Sequence, residues 1–286
     1  MTSVNVQVSD GVAGNQRSAC ASGRISWKRC AAPAFAGGAV IGALGGLIGL
    51  GGAEFRLPLL LGLFRFRALE AVILNKAMSV IVVATALPFR AATVPLSAVA
   101  ASWPVILNLL AGSLLGAWLG AGWATRLSSR GLYRVIAMML VLIAAALLLG
   151  HGRHAAAALL TGEVQIGAGI AAGFAIGIVA SVLGVAGGEL LIPTLVLLFG
   201  ADVKLAGSLS LAVSLPTMIV GFARYSRDRS FGVLATNKMF VAIMVAGSML
   251  GTFIGGRLLG LVPDSLLLPV LAAILVISAW KVWRHA

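Results

Sequence analysis

The sequence predicts an all-α polytopic membrane protein with two inverted structural repeats, each a broken or re-entrant helical hairpin plus three transmembrane helices. Three observations carry this prediction. The chain is 60% hydrophobic and 10% charged, and its mean hydropathy is +1.06 over 286 residues. Its apolar runs are as long as the roughly 20 residues that cross a bilayer. Segments of the first half also recur at one fixed spacing in the second half.

Two glycine-rich blocks carry the repeat, "GLGGAEFRLPLLLGLF" from Gly49 and "GVAGGELLIPTLVLLF" from Gly184. The blocks stand 135 residues apart, and the same offset continues without a gap on both sides of them. It pairs two glutamates and two prolines, which chance resemblance between Leu/Ala/Gly-rich segments does not explain. A constant spacing of this kind indicates an internal duplication.

Each half is predicted to contain the same series of helices. An apolar limb runs into a Gly-Gly-Glu break and a shorter limb follows; these limbs span 33–50 and 54–65 in the first half, and 166–185 and 189–200 in the second. Three ordinary spans come next, at 69–90, 103–125 and 132–150, and then at 204–223, 237–259 and 264–283. The predicted organisation is a polar, mostly disordered cytoplasmic tail at 1–32, a first membrane repeat at 33–150, an outer loop at 151–164 and a second membrane repeat at 165–286.

The basic residues predict how the broken limbs cross the membrane. If each pair of limbs forms a hairpin, 15 of the 21 Lys and Arg residues fall on the side of the N-terminal tail. Only four fall on the opposite side, and Arg56 and Lys76 lie inside apolar segments. A single crossing would move five basic residues outside, against the positive-inside rule. We therefore predict inverted halves in a bacterial-type inner membrane, with both termini cytoplasmic. The net charge of +13 then reflects topology, and we expect no nucleic-acid partner.

The two breaks are predicted to form a central site. Broken helices at corresponding positions of inverted repeats indicate the binding site of a transporter. Glycines permit the turn, prolines fit the first turn of the second limb, and free N–H groups at a helix start favour an anion. The candidate binding or gating residues are Gly49, Gly51, Gly52, Glu54, Asn75, Lys76, Ser79, Gly184, Gly187, Gly188, Glu189, Ser210 and Ser214, and the helix-breaking residues are Pro58 and Pro193.

The charged candidates each have two interpretations. Glu54 and Glu189 are the acidic residues expected at membrane depth, where carboxylates are usually functional, so they are candidates for gating or for carrying protons. Equally, they could cap the first turn of the second limb. Lys76 could attract an anionic substrate or neutralise Glu54. Arg56 could bind substrate or extend to the membrane interface.

The polar residues of the third helix and the small-residue motifs have structural interpretations too. Ser79 and Ser214 lie one turn beyond Asn75 and Ser210, so each pair shares a helix face. Their hydroxyls could line a pathway or bond neighbouring helices. The motifs "AGSLLGAWLGAG" and "AGSMLGTFIGG" have a small residue every four positions, which indicates close helix packing.

Both glycine-rich blocks resemble the signature of the TauE/SafE sulfite exporter family, in which Gly-x-Gly-Gly-Gly precedes apolar residues and a proline. The resemblance covers about residues 36–283, and the two copies depart from the signature at Ala53 and Ala186. It implies a secondary transporter of small anions such as sulfite, organosulfonates or related sulfur oxyanions, working by alternating access, with protons as a candidate coupling partner. The expected partners are this anion and the lipid bilayer.

Two other classes of function find less support in the sequence. A divalent cation or metal transporter would use Glu54 and Glu189 as ligands, but few other acidic or cysteine residues accompany them. An enzyme is not expected, because the spans carry no recognisable catalytic motif. No Walker-type loop is present, which argues against an ATP-driven pump in this chain alone. The two cysteines, Cys20 and Cys30, lie in the polar tail and provide no disulfide or metal framework, so we expect no cofactor and no resident metal.

Overall fold

A computed structural model of the chain describes residues 27–48, 52–91, 95–149, 161–258 and 264–284. The chain in these ranges consists of helices joined by short turns and irregular connections, and the ranges contain no strand. A 3₁₀ turn at Arg229–Phe231 precedes the tenth α-helix. The α-helices are α1 (Trp27–Ile48), α2 (Ala53–Gly62), α3 (Ala68–Ala91), α4 (Leu96–Ala101), α5 (Trp103–Ala124), α6 (Ser129–Leu149), α7 (Gly162–Leu183), α8 (Gly188–Phe199), α9 (Val203–Tyr225), α10 (Gly232–Thr236), α11 (Lys238–Leu258) and α12 (Asp264–Trp283).

The helices are those of a multi-pass membrane protein. Among the described residues, five helices are long and apolar enough to cross a membrane. Their apolar segments lie in α3, α5, α7, α9 and α11, at Ala68–Thr85, Trp103–Ala124, Gly162–Leu183, Leu205–Tyr225 and Lys238–Gly255. The all-α polytopic class predicted from the sequence is therefore confirmed.

Some helix boundaries differ from the predicted ones. Helix α1 begins at Trp27, so the last six residues of the predicted tail, 27–32, are helical, while residues 1–26 lie outside the described part of the chain. Helices α4 and α10 were not predicted, because six and five residues are too few for a periodic pattern. Within the predicted outer loop, α7 starts at Gly162, and residues 151–160 lie outside the described ranges.

The second limb of each half starts at a glycine whose backbone only glycine adopts cheaply. Gly52 has a φ of 66° and precedes α2, and Gly187 has a φ of 79° and precedes α8. Gly184, which ends α7, has a φ of 69°. These left-handed conformations are strained for residues with a Cβ atom. The two breaks are therefore set by glycines at equivalent positions of the two halves.

The prolines of the second limbs lie deeper in their helices than predicted. Pro58 is the sixth residue of α2 and Pro193 is the sixth residue of α8, so the first-turn assignment was wrong. The helices start earlier because Gly52 and Gly187 turn the chain directly before them. Since proline has no N–H group, each one leaves the carbonyl four residues earlier without its helical hydrogen bond.

Helices from opposite halves pack closely against each other. Helix α1 packs along α11 and α7 packs along α5, while α6 packs on α12 and α3 on α9. Gly42 of α1 lies against the Ser248 carbonyl of α11, and Gly177 of α7 lies against the Ser113 carbonyl of α5. Gly42 and Gly177 are 135 positions apart, as are Ser113 and Ser248, so the two contacts are equivalent in the repeat. The packing agrees with a duplicated chain, whereas the inverted orientation of the halves stays a prediction.

The second limbs are enclosed by protein. Leu57 and Leu60 of α2 are fully buried, as are Ile73 and Leu74 of α3, which packs beside it. Irregular backbone at membrane depth requires such an enclosure, because hydrocarbon cannot satisfy its polar groups. The interior beside α2 is therefore shielded from the lipid, so polar side chains can be held there by other protein groups.

Candidate functional site

Glu54 and Glu189 meet at the centre of the site. They lie in the first turns of α2 and α8, and their side chains are 2% and 5% exposed. Their carboxyl groups lie within hydrogen-bonding reach of each other. An ionised carboxylate only accepts hydrogen bonds, so a hydrogen bond between the two would need one proton on the pair. The two halves of the chain thus meet at this pair of carboxyl groups.

Asn75 of α3 joins the two breaks. Its Nδ2 donates one hydrogen bond to the carbonyl of Ala53, at 3.0 Å, and another to the carbonyl of Leu183, at 3.2 Å. Ala53 is the first residue of α2 and Leu183 is the last residue of α7. The fully buried Asn75 amide therefore fixes the start of one limb relative to the end of another.

Lys76 completes the end of α7. Its ammonium donates to the carbonyl of Ala180 at 3.1 Å and to the carbonyl of Val185 at 3.4 Å. Cations are stabilised at the C-terminal end of a helix, where the macrodipole is negative. Within the described part of the chain, no carboxylate forms a salt bridge with Lys76, so neutralisation of Glu54 by direct pairing does not occur here.

Arg56 is buried rather than extended to the membrane interface. Its side chain is 0% exposed, which excludes the interfacial alternative. Nη1 lies 3.3 Å from the hydroxyl of Ser79, and Nη2 lies 3.3 Å from the hydroxyl of Ser248. Among the described residues, the hydrogen-bond partners of Arg56 are therefore neutral hydroxyls. Glu54, two positions earlier in α2, is close enough to interact with the guanidinium through its charge.

The second half supplies fewer polar groups to the site. The Ser214 hydroxyl donates to the carbonyl of Ala186 at 2.7 Å, so it binds the second break directly. The Ser210 hydroxyl donates to the carbonyl of Gly207 within its own helix. The positions equivalent to Arg56 and Lys76 are Leu191 and Leu211, both buried and apolar. The positive charge of the site therefore comes from the first half alone.

The glycine candidates serve the backbone of the breaks. Gly52, Gly187 and Gly188 are buried. A Cβ atom at Gly184 would overlap the carbonyl of Val72, so α7 ends directly against α3. The candidates Gly49 and Gly51 lie outside the described residues.

Within the described part of the chain, several buried polar atoms of the site have no hydrogen-bond partner. They are Oε1 of Glu54, Oε2 of Glu189, Oδ1 of Asn75 and Nε of Arg56. Buried polar atoms are nearly always paired, and unpaired ones call for an explanation such as a bound polar molecule. Of these atoms, Nε of Arg56 is a donor that can hydrogen-bond to an oxygen of an anion, and the hydroxyls of Ser79 and Ser248 beside it can donate as well. The three unpaired oxygens belong to side chains that accept hydrogen bonds.

The arrangement offers little to a metal ion. In the ranges that the structure describes, no group of three or more His, Cys, Asp or Glu residues could hold one. Calcium takes six to eight oxygen ligands, and zinc sites use at least three protein ligands. Glu54 and Glu189 bring two carboxyl groups, and Arg56 adds a positive charge close to one of them.

Sequence reasoning missed Ser248 and left the role of Arg56 open. Ser248 lies in the motif "AGSMLG", which indicates helix packing and does pack α11 on α1. Its hydroxyl also accepts a hydrogen bond from Arg56, 192 positions earlier. The available signal was a serine recurring at the same place of both small-residue motifs, Ser113 and Ser248.

Comparisons with known proteins identify the family. Neither the curated proteins nor the solved structures give a match. The family model described as sulfite exporter TauE/SafE matches residues 34–282, nearly the whole chain. This match covers both glycine-rich breaks and every helix that packs around them. The chain therefore belongs to the sulfite exporter TauE/SafE family of membrane transporters.

Proposed function

We propose that this chain is a secondary transporter that moves sulfite, organosulfonates or related sulfur oxyanions by alternating access at the site between α2 and α8. The observation that carries the proposal is the buried guanidinium of Arg56, which lies between the hydroxyls of Ser79 and Ser248. The membrane is a bacterial-type inner membrane, with both termini in the cytoplasm.

The chemistry of this pocket suits a small oxyanion. A guanidinium presents planar N–H donors that match two oxygens of an anion at once, which a lysine ammonium does not. Serine hydroxyls rotate, so Ser79 and Ser248 can accept from Arg56 and donate to a bound anion. The hydrogen-bond partners of Arg56 in the described part of the chain are hydroxyls. A tetrahedral or pyramidal oxyanion can therefore bind the guanidinium without displacing a carboxylate.

The carboxyl pair gives the transporter a place for a proton. Two ionised carboxylates would repel each other and would attract Arg56 away from a substrate anion. One proton on Glu54 and Glu189 removes part of that negative charge and leaves the guanidinium available. We therefore propose that anion binding and protonation of the pair favour each other, which couples anion movement to the proton gradient.

Flux of labelled sulfite into proteoliposomes under an imposed pH gradient tests the function. Wild type is compared with Glu54→Gln, Glu189→Gln and the double variant. The matched control is Glu163→Gln, which changes an exposed carboxylate in the first turn of α7. In each single variant, the glutamine amide can donate a hydrogen bond to the remaining carboxyl group without the shared proton. The site variants should therefore bind sulfite but lose coupling to the gradient.

Each contrary result has a defined meaning. Coupled flux that survives in both single variants would assign the two glutamates to helix capping alone. If wild-type vesicles moved neither sulfite nor sulfonates but moved a divalent cation in a Glu54-dependent manner, the cation alternative would replace the proposal.

A further inference from the structure

A surface groove lies where the C-terminal ends of α5 and α9 meet. It has a volume of about 380 Å³ and is lined by Trp118, Leu119, Gly122, Trp123, Arg126 and Arg224. By charge distribution this is the predicted cytoplasmic side of the membrane. The groove is separate from the site between α2 and α8, since it shares no residue with that site.

Arg224 is held in the groove by contacts with an aromatic ring and a glycine, and the neighbouring Arg227 lies over the same ring. The Cζ atoms of Arg224 and Arg227 lie 5.3 Å and 5.0 Å from the ring centroid of Trp118. Guanidinium groups at such distances are attracted to the face of an indole ring. A Cβ atom at Gly122 would lie 3.2 Å from Nε of Arg224, so the missing side chain leaves the space that Arg224 occupies.

The guanidinium groups are not neutralised within the protein. In the part of the chain that the structure describes, neither Arg126 nor Arg224 forms a salt bridge with a carboxylate. Arg126 is exposed and Arg224 is half-buried, and both line the same groove. Two positive charges that share one opening attract an anionic group, and a guanidinium can bind a phosphate through two parallel hydrogen bonds.

The remaining walls of the groove are apolar and exposed. Trp118, Leu119 and Trp123 are 37%, 55% and 45% exposed. They belong to α5, which is long and apolar enough to span the membrane. Tryptophan is enriched where a span meets the headgroup region. The groove thus combines a charged end for a phosphate with an apolar wall for a hydrocarbon chain.

We propose that this groove binds the headgroup of an anionic phospholipid, with the lipid phosphate between Arg126 and Arg224. The acyl chains would continue along Trp118 and Leu119. A free phosphate ion would use the charged end of the groove but would gain nothing from the apolar wall. This site does not depend on the function proposed for the central site, and its role would be to fix α5 against α9 at the membrane surface.

Native mass spectrometry of the purified full chain tests the proposal. The protein is titrated with phosphatidylglycerol and, in parallel, with phosphatidylcholine of the same acyl chains. The pocket variant is Arg126→Gln with Arg224→Gln, and the matched control is Arg130→Gln with Arg229→Gln. The control removes two exposed charges that do not line the groove, one in the first turn of α6 and one in the 3₁₀ turn after α9.

Wild type and control should bind the anionic lipid in preference to the zwitterionic one. The pocket variant should bind it at least about tenfold more weakly, because it loses both guanidinium groups that are proposed to hydrogen-bond to the lipid phosphate. Inorganic phosphate at millimolar concentration should not displace the lipid. If the double variant did not elute as wild type does, Arg224→Gln would be compared with Arg229→Gln in the same titration.

Three results would overturn the proposal. Equal weakening in pocket variant and control would reduce the effect to general surface charge. Equal binding of both lipids would show that the phosphoglycerol charge is not recognised. Displacement by inorganic phosphate, together with loss of the lipid preference, would show a site for a free anion.

Discussion

The side-chain amide of Asn75 donates a hydrogen bond of 3.2 Å to the carbonyl of Leu183, 108 positions later in the chain. The same nitrogen donates to the carbonyl of Ala53 at 3.0 Å. One side chain thus connects the last residue of α7 with the first residue of α2, across the two halves. Any relative movement of the breaks during transport has to stretch or exchange these bonds.

Asn75→Ala should lower the free energy of unfolding of the protein in detergent by about 1–3 kcal/mol, because the buried carbonyl of Leu183 at the end of α7 loses its donor. The matched control is Asn108→Ala, whose Nδ2 donates to the carbonyl of Ile166 in a more exposed setting. Thermal unfolding followed by tryptophan fluorescence measures both. Equal losses in the two variants would show that Asn75 has no special role in holding the breaks.

Arg56 and Lys76 should respond differently to the same substitution. Arg56→Gln removes the cation proposed to bind the anion, and a hydrogen bond to a charged group is worth about 1.5–3 kcal/mol. The half-saturating sulfite concentration in vesicle flux should therefore rise about tenfold or more. Lys76→Gln keeps a donor for the carbonyls of Ala180 and Val185, so that concentration should change less than about threefold.

The comparison between these two variants guards against a misfolding artefact. Both residues are fully buried and both substitutions remove one positive charge, so both variants are first checked for wild-type elution and unfolding temperature. A larger affinity loss in Lys76→Gln than in Arg56→Gln would move the anion from the Arg56 pocket to the end of α7.

Local sequence signals predicted the breaks and the close packing of helices, but not which helices pair. Glycines flanked by apolar runs indicate an interrupted helix whatever surrounds them, and a small residue every four positions indicates close approach of another helix. Both signals are read from neighbouring residues, so they identify Gly52 and Gly116 without any knowledge of the fold.

The polar contacts of the site could not be predicted in the same way. An arginine two residues after Glu54 is compatible with the interface and with the interior. Its burial against the hydroxyls of Ser79 and Ser248, which come from two other helices, distinguishes them. The role of Lys76 likewise depends on where the end of α7 lies. The register of Pro58 was misjudged because the backbone of Gly52, and not the proline, sets the start of α2.

The glycines of α7 provide a test of the packing between the halves. A Cβ atom at Gly177 would overlap the carbonyl of Ser113, whereas one at Gly167 of the same helix meets nothing within 4 Å. Gly177→Ala should therefore lower the free energy of unfolding by about 1–3 kcal/mol through overpacking. Gly167→Ala should change it by less than ~1 kcal/mol, since only helix propensity is altered.

Urea or thermal unfolding in one detergent compares the two variants directly. A stability loss in Gly167→Ala as large as that in Gly177→Ala would mean that glycine content, rather than contact with α5, determines the effect. No loss in Gly177→Ala would contradict the close approach of α5 and α7.

Single cysteines test the predicted orientation of the halves. Cys20 and Cys30 are first replaced by serine, and one cysteine is then introduced at Thr161 or at Ser226, both of which are exposed. The positive-inside rule places Arg224, Arg227 and Arg229 in the cytoplasm and the start of α7 on the opposite side. A membrane-impermeant maleimide added to intact cells should therefore label Thr161→Cys at once, and Ser226→Cys only after permeabilisation.

The reverse labelling pattern would invert the whole chain and place the lipid groove on the other leaflet. Labelling of both positions in intact cells would mean that an even number of crossings separates them. Since α7, the α8 break and α9 lie between the two positions, the second break would then cross as a single span. The two halves would then not be inverted, because inversion requires that each pair of limbs form a hairpin.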